Sequence, residues 1–130
     1  MRLNIETTIM NIFSGRSMLR ANIRRKKHRD DDKPTQILFY PDGAIKLESW
    51  YKDGKLHRDG DEPAYILYYP DGTIKIESWF KHGREHRDGD FEPAYIKYWE
   101  NGVVEEVMYY YEDGRIYLIQ NFYPNGNIES

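Results

Sequence analysis

The sequence predicts an all-β chain: an elongated, single-layer antiparallel sheet of stacked β-hairpins, preceded by a short basic segment compatible with a helix. Three observations predict it. Turn dipeptides recur along the chain at Asp42-Gly43, Asp53-Gly54, Asp59-Gly60, Asp71-Gly72, His82-Gly83, Asp88-Gly89, Asn101-Gly102, Asp113-Gly114 and Asn125-Gly126, and such pairs favour the positive φ of tight hairpins. Between them, β-branched and aromatic residues alternate with polar ones, a period of two that means strand. Finally, residues 37–65 (ILFYPDGAIKLESWYKDGKLHRDGDEPAY) return almost unchanged as 66–95, with Phe91 inserted.

The elements follow in order. Residues 1–29 form an arm with eight Lys/Arg against one acid, Glu6. Within it Ile5–Ile12 has strand-like content and is expected to shield the first edge of the sheet, while Met18–Lys27 suits a helix. From residue 30 to 130 the array runs in units of about 37–65, 66–95 and 96–122, with a partial unit at 123–130. Approach strands are expected at Ile37–Tyr40, Ile66–Tyr69 and Ile96–Trp99, each leading to a turn. Pro41, Pro70 and Pro124 stand just before turns, where a missing N–H is harmless. After the turn, Ile45, Leu47, Ser49 and Tyr51 are expected on one face and Lys46, Glu48 and Trp50 on the other. The second copy repeats this with Ile74, Ile76, Ser78 and Phe80 against Lys75, Glu77 and Trp79. Charge ladders from Lys46/Glu48 and Lys75/Glu77 follow from that assignment. Gly43 to Gly72 is 29 residues, Gly72 to Gly102 is 30 and Gly102 to Gly126 is 24. The last interval lacks the HRDG…PA segment, so that segment is an addition to a basic hairpin unit of about 24 residues.

The residues Tyr69-Pro70-Asp71-Gly72-Thr73-Ile74-Lys75-Ile76-Glu77-Ser78-Trp79-Phe80-Lys81-His82-Gly83, with equivalents at 40–54 and 99–114, resemble the MORN repeat in a variant with a tyrosine-turn-glycine and a lysine-turn-glycine. The resemblance covers roughly residues 28–130. The chain departs from the usual Gly-x-Gly ending, which HRDGD replaces. The HRDG…PA segment is similar to versions in repeat proteins of giant DNA viruses, and related arrays occur in bacterial antitoxin-like proteins. The resemblance implies a scaffold or binding module, and no cofactor is expected. It implies a protein partner. Separately, a linear sheet of hairpins has two open edges, so self-association through the C-terminal hairpin, or docking of a partner strand there, is expected, with a two-fold homodimer as the closed form.

Composition limits the alternatives. The 130 residues include no Cys, which excludes disulfides, thiolate metal sites and a Cys nucleophile. Aromatics reach 15%, with 12 Tyr, and charged residues 32%. Flat side chains with one wet end suit a thin sheet better than a thick aliphatic core. Cysteine-free, with no apolar run long enough for a membrane helix and no secretory signal, the chain is expected inside a cell, in the cytoplasm, or in a virion or host cytoplasm if viral. Net charge is −3, but residues 30–130 hold 21 acids against 11 bases. That imbalance supports a second function class, an antitoxin or immunity-type protein covering a basic toxin. A third is a membrane-associated scaffold using Arg20, Arg24, Arg25, Lys26, Lys27 and Arg29. Nucleic acid is not favoured, because no stripe of base-stacking aromatics accompanies the basic arm.

Two sets of candidate residues emerge. His57-Arg58-Asp59-Gly60-Asp61 and His86-Arg87-Asp88-Gly89-Asp90 place a His beside two carboxylates, a donor set for a divalent metal or acid–base pair. Their recurrence with the repeat favours a structural turn, since a catalytic site is normally single. No G-x-S-x-G, S-x-x-K or phosphate loop is present, so no enzyme is expected. The aromatic residues Trp50, Tyr51, Trp79, Phe80, Tyr98 and Trp99 are the candidate contacts for a protein partner.

Overall fold

The computed structural model describes residues 32–89 and 91–129. The basic arm, with Arg20, Arg24, Arg25, Lys26, Lys27 and Arg29, lies outside the described residues, as do the expected helix and the Ile5–Ile12 segment. The described residues are all β. Among the described residues there are eleven strands: β1 Gln36–Phe39, β2 Ile45–Ser49, β3 Tyr51–Lys52, β4 Lys55–Leu56, β5 Tyr65–Tyr68, β6 Ile74–Ser78, β7 Phe80–Lys81, β8 Arg84–Glu85, β9 Tyr95–Tyr98, β10 Val104–Tyr110 and β11 Ile116–Asn121. Seven form one antiparallel sheet in the order β1-β2-β5-β6-β9-β10-β11, while β3–β4 and β7–β8 are separate two-stranded hairpins.

The turn chemistry makes these hairpins. Tyr69 N–H donates to Thr73 O at 2.8 Å and Gly72 N–H to Tyr69 O at 2.9 Å. The Asp71 carboxylate accepts from Thr73 N–H at 2.9 Å. Gly72 sits at φ 88°, a left-handed conformation that costs an L-residue roughly 1–2 kcal/mol. The same bonds recur at Asp42, Asn101, Asp113 and Asn125.

The strand after each of the first turns carries a bulge. Leu67 pairs with Ile76 but Tyr68 with Ile74, so Lys75 is an extra residue. Likewise Leu38 pairs with Leu47 and Phe39 with Ile45, leaving Lys46 unpaired. One extra residue reverses the alternation beyond it. This corrects the face assignment. Ile74 falls on the same face as Glu77 and Trp79, whereas Ile76 and Ser78 take the other. The face with the tryptophans is therefore the core: Trp50, Ala64, Ile66, Tyr68, Ile74, Trp79, Ala94, Ile96, Tyr98, Val104, Val107, Tyr109 and Phe122 form one buried cluster. Glu48 and Glu77 lie within it, 6% and 0% exposed, rather than in a solvated charge ladder. Each carboxylate accepts a tyrosine hydroxyl from the following unit, Glu48 from Tyr68 and Glu77 from Tyr98. Lys46 and Lys75 stand over the rings of Tyr40 and Tyr69 at 5.8 and 5.6 Å.

The two unit lengths have a structural meaning. In the first two units the chain leaves the sheet at Trp50 or Trp79, makes a short hairpin, and returns through HRDG…PA. Without that segment β10 runs on to Tyr110, and β11 pairs with it directly from Glu106↔Asn121 to Tyr110↔Ile116.

Candidate interaction face

The HRDG segments are clasps between units. The Arg58 guanidinium lies 3.7 Å from the Trp50 ring centre, and that of Arg87 lies 4.0 Å from Trp79. Each arginine reaches back one unit to a carboxylate. Arg58 donates twice to Asp32, at 2.7 and 2.9 Å, and Arg87 donates to both oxygens of Asp61, at 2.7 and 3.1 Å. A third N–H of each goes to a proline carbonyl, Pro63 or Pro93. Planar guanidinium suits this geometry, because it stacks and forks at once. Asp61 in the first HRDGD thus holds Arg87 in the second.

The histidines belong to the same clasp. His57 is 6% exposed; its Nε2 meets Asp59 at 2.9 Å and its Nδ1 accepts the His82 N–H of the next hairpin at 3.0 Å. The hydrogen bond with His57 Nε2 pulls Asp59 below the usual carboxylate range, with Lys52 adding to it. Lys81 donates to the carbonyls of Arg58 and Gly60 at 2.7 and 3.1 Å. His86 meets Asp88 at 2.8 Å but is more open. It borders a cleft of about 490 Å³ lined by Lys81, His82, Arg84, His86, Asp88 and Glu112. Among the described residues no three His, Asp or Glu side chains converge as metal ligands.

In the third unit, Tyr109 occupies the tryptophan position, eight residues before Tyr117 as Trp79 is before Arg87. Tyr117 packs there with its ring tilted by 41°, 5.9 Å between ring centres. An aromatic pair thus stands where the first two units use a cation over a ring. Burial pushes the Tyr109 hydroxyl well above its ordinary pKa, with the Tyr117 and Glu92 charges adding to it.

The structure divides the six aromatic candidates. Trp50, Trp79 and Tyr98 are 4%, 1% and 1% exposed, which removes them from any surface offered to a partner. Trp99 is half-buried, and its indole N–H donates to Phe122 O at 3.1 Å. Phe80 is half-buried and packs on the core, and Tyr51 is 42% exposed.

The face opposite the core carries Tyr65 and Tyr95, which were not among the sequence candidates. The register sets Ser49↔Tyr65, Tyr65↔Ser78, Ser78↔Tyr95 and Tyr95↔Met108 in one row across five strands. Both serines are buried, at 1% and 5%, while Tyr65 and Tyr95 are half-buried. Tyr51 and Tyr110 stand at the same end of the sheet. Burial, then the charges of Glu106, Glu105, Tyr110 and Tyr65, push the Tyr95 hydroxyl up to about 12. Burial and Tyr51 push Tyr65 the same way, and burial with Glu85 and Glu106 does so for Tyr110. The signal of Tyr65 and Tyr95 in the sequence is the PAY tripeptide ending each HRDG…PA segment, Pro63-Ala64-Tyr65 and Pro93-Ala94-Tyr95. The alanine faces the core, so the tyrosine must face away from it. No family model, curated protein or solved structure matches the chain.

Proposed function

We propose that this chain is a non-catalytic protein-interaction module, a scaffold of the MORN type, that holds a protein partner against the band of Tyr51, Tyr65, Tyr95 and Tyr110. The observation that carries this reading is the row of Tyr65 and Tyr95, half-buried on the sheet face away from the core and set between small serines, with the exposed Tyr51 and the half-buried Tyr110 at the same end of the sheet. Rigid tyrosines offer contact area at low entropic cost, and their hydroxyls satisfy polar groups at an interface. The HRDG residues, the other candidates for chemistry, are occupied in clasps. A second reading, an antitoxin-type protein binding a basic toxin, draws support from the 21 acids against 11 bases of residues 30–130.

Salt separates the two. Partner captured from the native source on immobilised protein should stay bound as salt rises to roughly three times physiological, because apolar ring contacts are little screened. Release over that range, with the fold intact by circular dichroism, would favour the electrostatic reading.

A further inference from the structure

The first unit holds a neighbour that the second unit lacks. Between them, the turn Lys81-His82-Gly83 docks on residues 56–60. Gly83 N–H donates to Leu56 O at 2.8 Å and His82 N–H to His57 Nδ1 at 3.0 Å. Lys81 Nζ donates to the carbonyls of Arg58 and Gly60 at 2.7 and 3.1 Å. Four acceptors of one unit are thus met by a Lys-x-Gly turn of the next. The His82 ring lies against that of His57, 4.6 Å between centres.

The same row of acceptors recurs one unit on, as Glu85 O, His86 Nδ1, Arg87 O and Gly89 O. The third unit sends no hairpin to it. That unit makes a plain turn instead, with Tyr111 N–H bonded to Arg115 O at 2.8 Å and Gly114 N–H to Tyr111 O at 3.0 Å. Among the described residues no Lys-x-Gly turn meets the second row, and the space beside His86 is the cleft of about 490 Å³. His86 Nε2 is engaged with Asp88 at 2.8 Å, as that of His57 is with Asp59, which leaves Nδ1 as the acceptor.

The chain itself carries a turn that fits. Lys52-Asp53-Gly54 in the first unit is the equivalent of Lys81-His82-Gly83, and Lys52, Asp53, Gly54 and Lys55 are all exposed. The backbones match: Asp53 and Gly54 sit at φ 52° and 77°, His82 and Gly83 at 52° and 83°. Charge fits as well. Asp88 and Glu112 line the cleft beside Arg84 and the already engaged Lys81, and Lys52 and Lys55 flank the incoming turn. Asp53, at the position of His82, would set a carboxylate beside the His86 imidazole. Within one chain the joint between the first two units stands between this turn and the second row, so only another molecule can bring them together.

We propose that a second copy of this chain docks its Lys52-Asp53-Gly54 turn on the row of Glu85, His86, Arg87 and Gly89, a head-to-tail contact that repeats between molecules the joint made within one. Sedimentation of the full-length protein over a range of concentrations tests it. The wild type should pass from single chains to species of two chains and more as concentration rises. Lys52→Ala removes the ammonium donor and His86→Ala the imidazole acceptor; each should weaken association by about tenfold, the effect of losing a directed hydrogen bond at a docked surface. An equal mixture of the two variants should recover a two-chain species with wild-type affinity and nothing larger. One intact turn, on His86→Ala, then meets one intact row, on Lys52→Ala, and the recovery itself shows that both variants fold. Three results would overturn the proposal: a wild type that stays a single chain at high micromolar concentration, association indifferent to both substitutions, which would place the contact elsewhere, or a mixture that associates no better than its components.

Discussion

At the residue scale the molecule is organised by a few polar side chains that each do two jobs. Arg87 stacks on Trp79 and forks onto Asp61, its side chain 1% exposed while that of Asp61 is 57% exposed. Lysine keeps the charge but neither the stack nor the fork, so Arg87→Lys is expected to cost about 1–3 kcal/mol in urea unfolding. Asp61→Ala should cost a similar amount, because the buried guanidinium loses both of its close carboxylate bonds and keeps only the Glu92 carboxylate at 3.4 Å. His57 and His86 head identical motifs but differ in burial and partners. His57→Ala removes two hydrogen bonds at a buried position and is expected to cost about 1–3 kcal/mol, whereas His86→Ala should stay under about 1 kcal/mol. Equal effects in thermal melts would contradict the clasp geometry. Tyr98→Phe leaves Glu77 without its hydroxyl donor and should destabilise by about 1–3 kcal/mol. Tyr98→Phe with Glu77→Val, which copies Phe122 and Val107 at the equivalent positions one unit on, should recover much of that loss. The role of the histidines as turn residues was legible from their recurrence. Their reach into the next unit was not, because the Arg–Asp pairs join residues 26 positions apart and no local rule pairs them.

At the element scale, strands and turns were readable almost throughout, because Asp-Gly and Asn-Gly pairs fix hairpins locally. Which side each strand buries was misread. A bulge leaves no mark in an alternating pattern such as Ile74-Lys75-Ile76, and one extra residue exchanges core for surface. The turns of the small hairpins β3–β4 and β7–β8 were legible in Asp53-Gly54 and His82-Gly83, but their departure from the sheet was not, since Trp50 and Trp79 read as continuous strand until HRDG…PA draws the chain out. Phe91, the inserted residue, is 41% exposed and sits at φ 61°, where a bulky side chain is strained. Phe91→Gly is therefore expected to stabilise the fold by about 1 kcal/mol, read as a rise in the urea midpoint. A fall would show that the ring makes contacts worth more than the strain.

For the whole molecule, a thin sheet gains its stability from a single buried face, and the tyrosines make that stability sensitive to alkali. Tyr95 releases its proton near 10 in the unfolded chain but only at about 12 in the fold. The unfolded state therefore holds fewer protons between those values, so stability is intact below pH 10 and declines as pH climbs toward 12. Tyr65, Tyr109 and Tyr110 are shifted in the same direction and steepen the fall. Tyr95→Phe should flatten the decline, measured as the melting temperature against pH.

The HRDG residues serve architecture, and the proposed contact lies on the tyrosines of the opposite face. Capture of partner from the native source on three proteins tests that division most directly: wild type, Tyr65→Ser/Tyr95→Ser, and His86→Ala. The account predicts that the tyrosine variant folds, by its far-ultraviolet spectrum, yet recovers little partner, while His86→Ala recovers as much as wild type. Full recovery by the tyrosine variant, with loss in His86→Ala, would contradict it and move the functional centre to the cleft beside His86.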